Sequence, residues 1–153
     1  MTSNASVFFQ FESDFVESLR CIPMIVRFNL DTCGIKLKLE HWHRFTEVDR
    51  QQLVCLPCET TEDIANYRKY VSNLVLLYAQ TPASELPIDE HPAWLDANSI
   101  PLSVREKADS VGASLSLEQW KTLKPIQRFA LIKLSRSSHE NRNFLPALQE
   151  FLG

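Results

Sequence analysis

Apolar residues recur at helical spacing in two separate parts of the chain. Val26, Leu30 and Cys33 follow the i, i+4, i+7 pattern of a helix with one buried face. Pro23 precedes this stripe, where proline is favoured at a helix start, and Gly34 follows it, where a left-handed residue ends a helix. The same arrangement of proline, apolar stripe and glycine returns 78 residues later. The pattern therefore predicts two equivalent helices.

This recurrence belongs to a longer internal match. Residues 22–56 align without a gap on residues 100–134, and 13 of the 35 aligned positions are identical. A match at a constant offset is the signature of a duplicated supersecondary unit. We therefore expect two stacked helical repeats, residues 15–80 and residues 93–152, which pack into one small domain.

Each repeat carries further helix signals. A short second helix is predicted around Trp42 and around Trp120, both at spacings that favour burial in the core. A third helix is predicted after Thr46, which opens a capping-box sequence, and Pro125 stands at the same boundary in the second repeat. Residues 61–79 have the pattern of a long amphipathic helix. The predicted fold class is all-α.

The segments around the repeats have little periodicity. Residues 81–92 are rich in proline and predict a linker, which we expect Trp94 and Leu95 to hold against the protein. The aromatic residues 7–11 predict a strand or an extended N-terminal arm, and the sequence leaves both open. The predicted organisation is a single all-α domain over residues 8–153.

Composition and charge exclude several classes of function. The chain is 44% hydrophobic, with nine phenylalanines and three tryptophans, which is enough for a real core. Its net charge of −3 and pI near 5.8 provide no basic field, so we expect no nucleic-acid partner. No apolar run approaches the roughly 20 residues that a membrane span needs. No secretory signal is visible at the N-terminus, so a cytoplasmic location is expected.

Cysteines and histidines of the first repeat are the weak candidates for metal ligands. Cys55 and Cys58 form a CxxC motif, and His41 and His43 lie nearby in sequence. Their counterparts in the second repeat have no ligand character: Gln119, Lys121, Lys133 and Arg136. One CxxC supplies only two of the four ligands of a usual zinc site, so we expect no bound metal. Cys33 falls on the apolar stripe and is expected to be a buried core thiol.

The polar residues that both repeats share favour a structural role. Arg27 and Asp31 have the i, i+4 spacing of a helix surface pair. Glu40 and Arg50 lie on successive short helices, where an ion pair would set the angle between them. No motif of a hydrolase, a metalloprotease or a nucleotide-binding enzyme is present, so we expect no enzyme activity and no catalytic residues.

Four longer stretches resemble one known family. They read FQFESDFVESLRCIPM, RFNLDTCGIKL, QRFALIKL and NFLPAL, and the resemblance runs from about residue 9 to residue 151. These stretches are similar to the nitrate reductase associated proteins of cyanobacteria. The resemblance implies a small cytosolic protein that nitrate reductase needs to become active, at the stage of molybdenum-cofactor supply or insertion. It implies the reductase apoprotein or the cofactor machinery as partner, and it carries no catalytic residue set.

A contact surface for such a partner is expected among residues that only the first repeat has. Aromatic side chains with arginine nearby have the composition of an interface hot spot. The candidates are Phe8, Phe9, Phe11, Phe15, Arg20, His41, His43 and Arg44. The alternative for the aromatic residues is that they cover the end of the helical stack.

A second function stays open beside the accessory role. The cysteines and histidines of the first repeat, together with the implied link to a molybdenum enzyme, suggest a metal or molybdopterin carrier. The negative net charge and the absence of a glycine-rich phosphate loop argue against binding of this anionic cofactor.

Overall fold

We analysed a computed structural model of the chain, which describes residues 8–12, 21–136 and 141–153. The predicted contact residues Phe15 and Arg20 lie outside these ranges. The described residues divide into two compact units, with a boundary between Ile88 and Asp89 that falls inside the predicted linker. The single domain with one shared core therefore stays a prediction, and each unit is described by itself.

The first unit contains four helices and two short strands among its described residues. The helices are α1 (Met24–Cys33), α2 (Leu39–Arg44), α3 (Glu47–Cys55) and α4 (Thr61–Ala79), and the strands are β1 (Ile35–Lys36) and β2 (Ser84–Glu85). A 3-10 turn at Gln10–Glu12 precedes them.

The second unit contains four helices in its described part: α5 (Leu102–Ser110), α6 (Leu117–Thr122), α7 (Pro125–Arg136) and α8 (Phe144–Leu152). Two 3-10 turns, Ala93–Leu95 and Asn141–Asn143, accompany them. The predominance of helix confirms the predicted all-α class. No helix in the described part of the chain is long and apolar enough to cross a membrane.

The first three helices of each unit begin 78 residues apart, from Met24 to Leu102, from Leu39 to Leu117 and from Glu47 to Pro125. Gly34 and Gly112 follow the first helix of each set with φ of 82° and 73°, the left-handed conformation that glycine adopts without strain. These correspondences agree with the expected helix boundaries, while the duplication itself stays a prediction.

Side-chain caps begin several of the helices. Thr46 accepts a hydrogen bond from the Asp49 N–H, and the Asp49 carboxylate accepts one from the Thr46 N–H, so the predicted capping box is confirmed. Ser116 and Gln119 form the same box at the start of α6. Pro125 is the first residue of α7, as expected from its missing N–H.

Each unit buries its own apolar side chains. The core cluster of the first unit contains Val26, Leu30, Cys33, Ile35, Trp42, Phe45, Leu53, Val54, Tyr67, Val71, Leu74 and Val75. The buried side chains of the second unit include Val104, Ala108, Trp120, Leu123, Phe129, Leu131, Ile132, Leu134, Phe144 and Leu148. Trp42 and Trp120 are both fully buried, which confirms their predicted core position.

The predicted ion pair between Glu40 and Arg50 is wrong. The Arg50 guanidinium instead donates to the carbonyls of Trp42 and His43 at the end of α2, at 3.0 and 2.8 Å. The last carbonyls of a helix have no intrahelical donor, and a guanidinium satisfies two of them at once. Arg50 thus joins α3 to α2 through backbone carbonyls. This contact does not involve the Glu40 side chain.

Arg128 makes the corresponding contacts in the second unit. Its guanidinium donates to the carbonyls of Trp120, Leu123 and Trp94, at 3.2, 2.8 and 2.9 Å. The side chain is 6% exposed, so nearly all of the charge is solvated by protein carbonyls. We call Arg50 and Arg128 the helix-end arginines.

The predicted linker contains more structure than its proline content indicated. β2 pairs antiparallel with β1, with Glu85 opposite Ile35 and Ser84 opposite Lys36. Farther along, the ring of Trp94 packs edge-on against Phe129, with 5.0 Å between their centroids. Trp94 therefore holds this segment as expected, whereas Leu95 is 57% exposed and does not.

The described part of the aromatic N-terminal segment is neither a strand nor an extended arm. Residues 10–12 form a 3-10 turn, closed by a hydrogen bond from the Glu12 N–H to the Phe9 carbonyl. The turn forms because the Glu12 carboxylate accepts hydrogen bonds from the N–H groups of Phe9 and Met24, both at 3.0 Å. A contact over twelve residues of sequence, to the start of α1, thus decides the local conformation.

The two buried tryptophans yield a first prediction. Truncating Trp42 or Trp120 to alanine should lower the free energy of unfolding by about 3–5 kcal/mol, because each removes a large, fully buried side chain. Urea denaturation measures the change. Val48→Ala serves as control, since Val48 is 69% exposed on α3 and its truncation should change stability by less than about 0.5 kcal/mol. A tryptophan variant that unfolds like the wild type would contradict the assigned cores.

The helix-end arginines yield a second prediction. Arg128→Lys should destabilise the chain by about 2–3 kcal/mol, because one ammonium cannot reach the carbonyls that the buried guanidinium binds. Arg50→Lys should cost about 1 kcal/mol, since Arg50 is only half-buried and water solvates the carbonyls that it releases. Both variants keep the charge, so urea denaturation compares geometry alone. An equal loss of unfolding free energy in the two variants would contradict the explanation that burial sets the size of the effect.

Candidate functional site

The N-terminal turn presents an aromatic pair on a fixed support. Phe9 and Phe11 stack with 5.5 Å between ring centroids and 16° between ring planes, and both are half-buried. Phe8 differs from them, because it packs against the core cluster of the first unit. Phe8 therefore covers the core, as one interpretation of the aromatic residues expected, while Phe9 and Phe11 stack on each other.

Glu12 is the residue that positions this turn, and the sequence analysis missed it. Its side chain is 1% exposed, and its two carboxylate oxygens accept from the backbone of Phe9 and of Met24. Met24 is the first residue of α1, so the negative charge lies at the positive end of the helix dipole. The signal in the sequence was weak, because a glutamate twelve residues before a helix belongs to no capping motif.

The other predicted contact residues lie on α2. His43 and Arg44 are exposed, and Arg44 donates to the Tyr78 carbonyl at 3.4 Å. His41 is half-buried, and its Nδ1 atom is buried without a hydrogen-bond partner in the part of the chain that the structure describes. The predicted surface is therefore divided between the N-terminal turn and α2, with α1 between them in the sequence.

The weak metal candidates do not form a ligand cluster. Cys55 ends α3 and is exposed, whereas Cys58 is half-buried, with its Sγ atom 3.8 Å from the Asn29 carbonyl. No three His, Cys, Asp or Glu side chains are grouped as metal ligands among the described residues. The CxxC motif thus directs its two thiols into different surroundings, although the residues are close in sequence.

Two of the thiols are held in their neutral form. Burial raises the pKa of Cys58 to about 12, with smaller contributions from the neighbouring Cys33 and from the Asp63 carboxylate. Burial also raises the pKa of Cys33 to about 11. The thiolate is the form of cysteine that binds metals and attacks electrophiles. Cys33 is fully buried, as predicted for a core thiol, and the raised pKa values keep both thiols mostly protonated near neutral pH.

A small cavity lies beside the CxxC motif, between the end of α3 and the start of α4. Its volume is about 200 Å³, and it is lined by Leu56, Pro57, Asp63, Asn66, Tyr67 and Tyr70. The Tyr67 hydroxyl donates to the Leu53 carbonyl at 2.7 Å, and burial raises the pKa of this tyrosine. The Asp63 carboxylate caps α4. The Tyr67 hydroxyl and the Asp63 carboxylate of this lining thus serve the fold.

On the first unit, Glu12 and Arg50 bind backbone groups, and Phe9 and Phe11 form a stacked aromatic pair.

No curated protein and no solved structure matches the chain. One family model, described as conserved nitrate reductase-associated protein, matches residues 8–151. Because this match covers nearly the whole sequence, it confirms the resemblance, and the chain belongs to the nitrate reductase-associated protein family.

Proposed function

We propose that this chain is a non-catalytic accessory protein that binds the nitrate reductase apoprotein or a protein of its molybdenum-cofactor supply. The family match over residues 8–151 is the observation that carries the proposal. An accessory role requires a binding surface and no reactive group. The buried side chains of Glu12 and Arg128 bind backbone groups at helix ends, which supports a structural role for these charges.

The N-terminal turn is the proposed contact surface. Phe9 and Phe11 supply stacked aromatic area, and aromatic side chains are enriched among the residues that dominate binding energy. Glu12 holds the turn through hydrogen bonds to the Phe9 and Met24 N–H groups, and Phe8 anchors it by packing against the core cluster. A surface that is ordered before binding loses less conformational entropy in the complex, so its contacts contribute more to affinity.

The alternative carrier function receives less support. A metal site would need thiolates, yet the raised pKa of Cys58 and of Cys33 keeps both thiols protonated near neutral pH. In the cavity beside the CxxC motif, a pterin phosphate would lie near the Asp63 carboxylate. The two negative charges would repel each other. Neither feature favours cofactor binding over protein binding.

The contact surface is tested by truncating its aromatic pair. The double variant Phe9→Ala/Phe11→Ala should bind immobilised nitrate reductase apoprotein about 30-fold more weakly, the loss expected from one 2 kcal/mol hot spot. Leu77→Ala is the matched control, because Leu77 is an apolar residue that is 67% exposed on α4. The far-UV circular dichroism of both variants should equal that of the wild type. Equal binding of both variants would remove the aromatic turn from the contact surface.

The step in maturation is tested in a strain that lacks this gene. If the protein acts in cofactor supply or insertion, nitrate reductase purified from that strain should be inactive and should contain less than about a tenth of the normal molybdopterin. Reintroducing the wild-type gene should restore both quantities. Inactive reductase with a full complement of molybdopterin would instead assign the protein to a later step, and fully active reductase would refute the accessory role.

A further inference from the structure

The backbone that follows Gly34 is covered by another segment of the first unit. The Gly34 carbonyl accepts a hydrogen bond from the Leu86 N–H at 2.9 Å, and β1 pairs with β2 directly beyond it. In an antiparallel ladder, hydrogen-bonded residue pairs alternate with pairs that are not hydrogen-bonded. Counting from Gly34 and Leu86, the next hydrogen-bonded pair is Lys36 and Ser84. An added strand of two residues thus covers the turn after α1.

Side chains complete this cover. A Cβ atom on Gly34 would lie 2.8 Å from Cγ1 of Ile88, so the isoleucine rests directly on the glycine. Arg68 forms an ion pair with Glu85 and donates to the Cys33 carbonyl at 2.7 Å, which holds β2 against the end of α1. As a result Gly34 is buried, and Ile35 is only 2% exposed.

The corresponding backbone in the second unit is open. Gly112 has the same left-handed conformation as Gly34, yet apart from its chain neighbours no atom of the described residues lies within 4 Å of the position that a Cβ would take. Gly112 and Ser114 are exposed, and Ala113 is half-buried. The Gly112 carbonyl, the counterpart of the one that Leu86 binds, accepts no backbone hydrogen bond from the described residues.

A groove of about 520 Å³ lies against this open backbone. Residues 111–114 form one wall, and Leu145, Leu148 and Leu152 of α8 contribute to the other. In the first unit an arginine, Arg68, lies beside the glycine and binds the acidic β2. The leucines of the second unit instead suit a segment with apolar side chains, because they offer apolar surface to bury and no charge to pair.

We propose that residues 112–114 bind an extended segment of a protein partner as an added antiparallel strand, with a branched apolar side chain of that segment resting on Gly112. The cover of Gly34 by residues 84–88 of the same chain is the template for this arrangement. Backbone pairing supplies affinity in such strand addition, and the side-chain groove supplies specificity.

The template segment itself serves as the probe. A synthetic peptide with the sequence TPASELPIDE, residues 81–90, is titrated into the full ¹⁵N-labelled chain and followed by amide chemical shifts. The shifts should concentrate on residues 111–114 and 145–152. A second peptide with leucine in place of Glu85 should bind more tightly, about fivefold or more, because it exchanges a charge for apolar surface against the leucines.

Ser114 offers a matched pair of variants. It corresponds to Lys36, so its N–H should donate to the bound strand, while its side chain is exposed. Ser114→Pro removes that N–H and should weaken binding by about fivefold or more, whereas Ser114→Ala keeps it and should leave the affinity unchanged. Thermal unfolding of both variants checks that the fold persists.

A peptide variant tests the side-chain contact without any change to the protein. Replacing the Ile88 equivalent in the peptide by serine should weaken binding by about tenfold, because the branched side chain no longer covers the glycine. Equal affinity of the Ser114→Pro and Ser114→Ala chains, or shifts confined to residues 33–36, would overturn the proposal. An absence of shifts with every peptide would overturn it as well. Peptide binding and reductase binding are measured separately, so this proposal and the accessory role can fail independently.

Discussion

The guanidinium groups of Arg50 and Arg128 bind the carbonyl ends of the six-residue helices α2 and α6. A helix of six residues is unstable in isolation, because its nucleation costs more than its few hydrogen bonds return. The arginine on the next helix adds donors to the carbonyls at its end, and a buried tryptophan, Trp42 or Trp120, packs the short helix into the core. The connection from each short helix to the following one thus depends on a guanidinium group that is hydrogen-bonded to backbone carbonyls.

The surroundings of the two arginines differ in a way that matches the rest of each unit. Arg50 lies half-buried with its guanidinium 5.8 Å from the centre of the Trp42 ring, at a cation–π distance. Arg128 is deeply buried and also binds the Trp94 carbonyl, which joins the segment before α5 to the core of the second unit. Arg50 therefore joins α2 and α3 in the first unit. Arg128 joins α6 and α7 in the second unit and also holds the segment around Trp94.

Each unit also has features with no counterpart in the other. The first unit has the aromatic turn that Glu12 holds and a strand that covers Gly34, whereas the second unit leaves Gly112 open beside a leucine-lined groove. Burial raises the pKa of two thiols of the first unit, and the Asp63 carboxylate caps α4. The family to which the chain belongs is described by an association with nitrate reductase.

Local sequence determined the helices of this protein, and tertiary contacts decided its surfaces. The apolar stripe before Gly34, the Thr46 capping box and the position of Pro125 act within one or two helical turns, so the sequence alone predicts them. The bond from Glu12 to Met24 and the pairing of β1 with β2 join residues twelve to fifty positions apart. The sequence pattern contains no short-range signal for such contacts, because they form only when packing brings distant backbone groups together.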